Sequence, residues 1–182
     1  MRLRDSPSAY GPVTRANHWI GALFVLAMLV IGLYFSELPP GAERSFWRTL
    51  HIAIGTILLP LAVFRVLWRF VSGAPQALPQ LRAAHALAFT THVLLIVAML
   101  TMLASGVLMQ WFAGRPIGVF DLLRIASPLI PSELWHERMQ LIHDSTAWAL
   151  IGLIALHLLG AVRHTLRSGR KFWERMLGTP SK

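Results

Sequence analysis

The sequence predicts an all-α membrane protein built as a four-transmembrane-helix bundle, and three observations predict it. Charged residues make up only 14% of the 182 residues and hydrophobic ones 55%, against about 25% charged in a soluble domain. The charges are confined between four long uncharged stretches. Those stretches are unbroken apolar runs, not the alternating pattern of membrane strands.

The first stretch, Ala16 to Leu38, contains Glu37 as its single charge. Its apolar part, His18 to Phe35, is too long for a signal peptide and is followed by Glu-Leu-Pro-Pro in place of a small-residue cleavage site, so it reads as a retained helix. The second lies between Arg48 and Arg65 and continues to Arg69. The third, between Arg82 and Arg115, is the longest. The fourth is bounded by Asp144 and Arg163. A helix needs about 20 mostly apolar residues to cross a hydrocarbon core of about 30 Å, and all four qualify once end residues snorkel. The expected helices are roughly 16–36, 49–70, 84–113 and 141–165, in a single domain covering 1–182. The outer loop, 114–140, is expected to lie at the interface with short helical pieces.

The formal charge of +9 belongs to topology and not to nucleic acid. The N-terminus, the second connection with its helix end, and the tail together hold twelve Arg and Lys. The first and third connections hold five: Arg44, Arg48, Arg115, Arg124 and Arg138. Basic residues mark the cytoplasmic side, so both termini are expected to be cytoplasmic, with membrane lipid as the surroundings.

The absence of cysteine excludes disulfides, iron–sulfur clusters, thiolate zinc and covalently attached haem. The chemistry lies with eight histidines, since ionisable side chains at membrane depth are functional candidates by default. His136 and His164 read first as interfacial histidines, and so does His85. His18, His51, His143, His157 and the deeper His92 remain. His143 and His157 are fourteen apart, a rise of about 21 Å and a rotation about 40° short of four full turns, hence one face at two depths. Topology places His18 with His157 at the inner level and His51 with His143 at the outer. Two facing imidazoles in an apolar bundle suit a bis-histidine b-type haem, and two such pairs suit two stacked haems. Gly21, Gly55, Ala147 and Gly160 stand three or four residues from the four histidines, room that a flat porphyrin needs; ordinary small-residue helix packing is the alternative. Arg65, fourteen after His51, is placed to meet an inner haem propionate, or is a plain helix-end cation. His92 competes with His18 for the inner iron.

Asn17-His18-Trp19, Leu50-His51, Arg65 with Arg69, His143 and His157 with His164 seven later, and His92 with Gly106 together resemble the bacterial cytochrome b561 family. That fold also covers the cytochrome b subunits of nickel–iron hydrogenases. The resemblance covers nearly the whole chain. It implies two non-covalent b haems with iron ligands at His18, His51, His143 and His157. For the compact form it implies electron flow from periplasmic superoxide to ubiquinone, an oxidoreductase activity. The alternative is a membrane-anchoring subunit that passes electrons for a partner dehydrogenase or hydrogenase. Ile142 and Asp144 depart from the pattern, which has tryptophan and glutamate around that histidine, and this touches only the outer-haem environment. Arg115, Arg124 and Arg138 are placed to steer an anion, opposed by Asp121, Glu133 and Glu137. His164 is a candidate for a quinone carbonyl, or else a snorkelling surface residue. A haem-free histidine-lined metal transporter is the third reading; no acidic residue joins the histidines within the helices.

Overall fold

The computed structural model describes residues 3–73, 75 and 82–178. Four long helices carry the fold: α1 Pro12–Glu37, α2 Ala42–Ser72, α3 Arg82–Phe112 and α4 Glu133–Ser168. A short α5, Arg170–Leu177, follows, and two strands, β1 Ile117–Val119 and β2 Leu123–Ile125, lie between α3 and α4. All four long helices are apolar and long enough to cross a membrane.

Their ends follow from local chemistry. Pro12 opens α1 where its missing N–H costs nothing, and α1 stops before Pro39–Pro40, which disfavour helical geometry in the residue ahead. Pro60 lies inside α2, tolerable in a membrane helix where neighbours can satisfy the freed carbonyl. At the end of α3, Gly114 adopts φ +69°. Its N–H donates to Trp111 and the Arg115 N–H to Gln110, the paired closure that glycine makes at a helix C-terminus.

The helices extend past the apolar cores seen in the sequence, because amphipathic turns continue each one into the interface. The largest extension is α4, which begins at Glu133 and so takes His136 out of the loop. The rest of that connection corrects the expectation of short helical pieces. It forms an antiparallel hairpin, Ile117 opposite Ile125 and Val119 opposite Leu123, turning at Phe120 with φ +48°. β1 rests on α2 through the buried Ile117.

The bundle is assembled as α1 against α2 and α3 against α4. The α3–α4 seam keeps one antiparallel register. His92 meets His157, Gly106 meets His143, and Ala113 and His136 line one outer cleft. Each step of seven along α3 is answered by a step of seven back along α4, the repeat that holds one seam between two helices. Leu150, midway between His143 and His157, fills the seam's centre at 3% exposure. Apart from Leu58, the other buried residues described in the helices are small or polar, among them Ala53, Ala62, Ala98, Thr56, Thr91 and Ser105, while Val30, Phe70, Leu158 and Leu159 face outward. That inversion is expected where lipid is the solvent and helices associate through close packing of small residues.

At the inner end, the N-terminal segment is tied to α2. The Asp5 N–H donates to Ser72 Oγ (3.0 Å), and Trp68 Nε1 donates to Thr14 Oγ1 (2.9 Å). Trp19 Nε1 donates to the Met176 carbonyl, which brings α5 against α1.

Candidate functional site

Near the outer end of the bundle, α2 carries His51 and α4 carries His143, with ring centroids 6.2 Å apart and planes at 75°. Glycines hold both rings from behind. A Cβ on Gly32 would meet His51 Cε1 at 3.2 Å, and one on Gly106 would meet His143 Cε1 at 3.1 Å. His143 Nδ1 lies 3.1 Å from both the Met102 carbonyl and Ser105 Oγ. The carbonyl accepts only, so Nδ1 carries the proton and Nε2 keeps its lone pair. His51 Nδ1 is buried with no hydrogen bond of ordinary geometry, although the Met28 carbonyl faces the ring.

At the inner end, His18 of α1 faces His157 of α4 at 6.4 Å and 63°. Arg65 reaches across from α2: its Nη1 donates to the carbonyl and Oδ1 of Asn17, both at 3.3 Å, and Nη2 lies 3.4 Å from His18 Nδ1. Asn17 is buried and its Nδ2 has no partner. His92 lies on the other side of His157, at 5.1 Å and 80°, and its Nδ1 donates to the Ala88 carbonyl.

These separations have a chemical meaning. An imidazole nitrogen sits about 2.0–2.1 Å from a first-row metal ion, so two rings on opposite sides of one ion have centroids roughly 6.3 Å apart. The His51–His143 and His18–His157 separations both fit an iron between them. The His92–His157 separation is too short. The glycine-backed rings and the all-nitrogen donor set together suit a bis-imidazole iron porphyrin.

The structure brings together all four histidines expected from the sequence, with Arg65 beside His18. The small residues divide. A Cβ on Gly21 would lie 3.7 Å from Arg65 Nη1, one on Gly55 would lie 3.4 Å from Met28 Cε, and one on Gly160 meets nothing within 4 Å. His164 sits half-buried on the inner part of α4, two turns beyond His157. Gly32 and Ser105 went unread in the sequence. Gly32 is fourteen residues after His18, and Gly106 fourteen after His92, the same spacing that paired His143 with His157. That spacing was the available signal.

Residues 9–179 match the family model of prokaryotic cytochrome b561. The chain belongs to the prokaryotic cytochrome b561 family. Cytochrome b561 homolog 2 of Escherichia coli (strain K12) is 29% identical over 186 residues, an alignment covering all of this chain and 97% of that protein. The resemblance carried by the histidines is therefore borne out. As a family member the chain is a multi-pass membrane protein in a lipid environment, and its work is transmembrane electron transfer by b-type haem.

Proposed function

We propose that this member of the cytochrome b561 family carries electrons across a bacterial inner membrane between a periplasmic donor such as superoxide and ubiquinone. Two b haems serve it, the inner held by His18 and His157 and the outer by His51 and His143. The observation that carries this reading is the pair of imidazole separations, 6.4 and 6.2 Å. His18, His157, His51 and His143 would hold the haems through imidazole nitrogen, and each haem, when bound, would supply a one-electron redox centre.

The protein's part is to hold and tune. Met102 and Ser105 fix the His143 ring through Nδ1, as the unligated nitrogen of a metal-binding histidine is normally fixed. Arg65 is placed for a propionate of the inner haem. At the outer face Arg115, Arg124 and Arg138 draw an anionic donor; Arg138 stacks over Trp135. At the inner face His164 is the group we assign to the quinone. Both termini are taken as cytoplasmic from the basic excess on that side.

A second reading, an anchoring subunit for a soluble dehydrogenase or hydrogenase, draws on the outer loop. Leu122 and Ile130 stand 88% and 87% exposed there, in position for a partner. Purified protein decides between the two. A reduced-minus-oxidised spectrum with two haems per chain, reduction by superoxide and reoxidation by added quinone are expected. Haem that is inert to superoxide in a chain that co-purifies with a large soluble subunit would move the choice to the second reading. A colourless preparation would remove both.

A further inference from the structure

Arg48 stands three residues before His51 on α2, therefore one turn nearer the outer surface on a neighbouring face. It is half-buried, and its Nη2 donates to Gln110 Oε1 at 3.2 Å. Gln110 is 4% exposed and stands one turn outward of Gly106, the glycine behind His143. The Arg48–Gln110 contact therefore lies one turn outward of the His51–His143 pair. The charges acting on Arg48 are those of Arg44 and Arg115, which repel it. The acid nearest in sequence, Glu43, accepts a hydrogen bond from Tyr34 instead. A guanidinium withdrawn from water and held by a neutral amide is costly unless an anion completes it.

The inner end repeats the arrangement. Arg65 is docked on the neutral Asn17 amide beside His18. Each imidazole pair thus has one arginine held by a buried carboxamide, Arg65 level with His18 and Arg48 one turn outward of His51.

We propose that Arg48, positioned by Gln110, binds a carboxylate of the outer cofactor, a propionate of the b haem between His51 and His143. This rests on the two-haem reading. An arginine fork matches a carboxylate with two parallel hydrogen bonds, and a half-buried cation there favours the reduced, less positive haem. Removing it lowers the outer midpoint potential and leaves the inner one in place.

The test is a redox titration of the purified full-length protein, with haem content measured by pyridine haemochrome. Wild type with fewer than two haems overturns the two-haem reading itself. With two haems present, Arg48→Gln is expected to shift the reduction equilibrium of one component about tenfold toward the ferric form, about 59 mV lower for a one-electron couple. Arg65→Gln is expected to shift the other component. Unchanged midpoints and haem content in Arg48→Gln overturn the inference, as does a shift in the same component that Arg65→Gln moves. If Arg48→Gln sheds a haem, the survivor should titrate like the one left in His51→Ala; a match to His18→Ala overturns the inference. If Arg48→Gln does not accumulate, Arg48→Lys is read: a smaller shift confined to one component supports the clamp, and a wild-type titration overturns it.

Discussion

Which imidazole faces His157 decides the inner site. His18 stands at the separation that admits an iron, 6.4 Å, and His92 at 5.1 Å does not. His92 is also committed through Nδ1 to the Ala88 carbonyl one turn back on its own helix. His18→Ala is therefore expected to drop haem content from two to one per chain, and His92→Ala to keep two with an altered inner spectrum. The reverse result would mean that α3 supplies the ligand. The glycines behind the outer rings give a second expectation. Gly106→Val places branched carbons where a single Cβ already stands 3.1 Å from His143 Cε1, a contact that the ring can relieve only by leaving its place. One haem equivalent should be lost, with the inner component titrating unchanged. Ser105→Ala, which removes one of two partners of His143 Nδ1, should keep both haems but weaken retention of the outer one about 10–100-fold, read as haem transfer to apo-myoglobin. The pairing of the four histidines was legible in the sequence because the fourteen residues from His143 to His157 fix face and depth together, and helix topology then sets His18 and His51 at the two depths. Ser105 was not, since its role depends on α3 meeting α4 in one particular register.

That register is a property of the helix pair. Sequence periodicity says that His136, His143, Leu150, His157 and His164 share a face of α4, but not which residues of α3 they oppose. The structure answers with His92, Gly106 and Ala113 on the same seven-residue repeat, so the seam pairs ring with ring at His92 and ring with glycine at Gly106. Leu150 holds the middle. Leu150→Ala should leave a void between the two histidine pairs and destabilise the bundle by roughly 2–5 kcal/mol, seen as a lower midpoint in thermal unfolding, with haem content at low temperature unchanged from wild type. The outer hairpin shows where sequence reading fell short. Two three-residue strands carry too little pattern to register, and they persist because β1 leans on α2 and Ser127 Oγ donates to the Trp111 carbonyl. Gly114→Ala tests how the hairpin is launched. At φ +69° an L-residue costs about 1–2 kcal/mol, and its Cβ would press on Pro131 Cγ at 3.2 Å, so faster proteolysis of the 115–131 loop is expected without loss of haem.

Across the whole molecule, the basic residues are divided unequally between the two ends of the bundle. Twelve of the seventeen Arg and Lys lie on the side of the termini, and two of them serve structure as well. Arg175 Nε donates to the Ser8 carbonyl and Arg69 donates to the Gly73 carbonyl, so the basic edge is also the edge where the N-terminal segment, the end of α2 and α5 are fastened. The opposite edge has five cations, and Arg48 is drawn inward from it. If the basic edge is cytoplasmic, the His18–His157 pair lies toward the cytoplasm and the His51–His143 pair toward the periplasm. A fluorescent protein fused after Lys182 should then fold and fluoresce, while alkaline phosphatase fused there should stay inactive and one inserted near Ser127 should be active. Neutralising Arg163, Arg167 and Arg170 together removes three of the twelve and should raise the fraction of chains inserted the other way, because these residues lie within reach of the last membrane helix, where the bias is counted. Active phosphatase at the wild-type C-terminus would reverse the assignment of both sites and place the donor face on the side of His164.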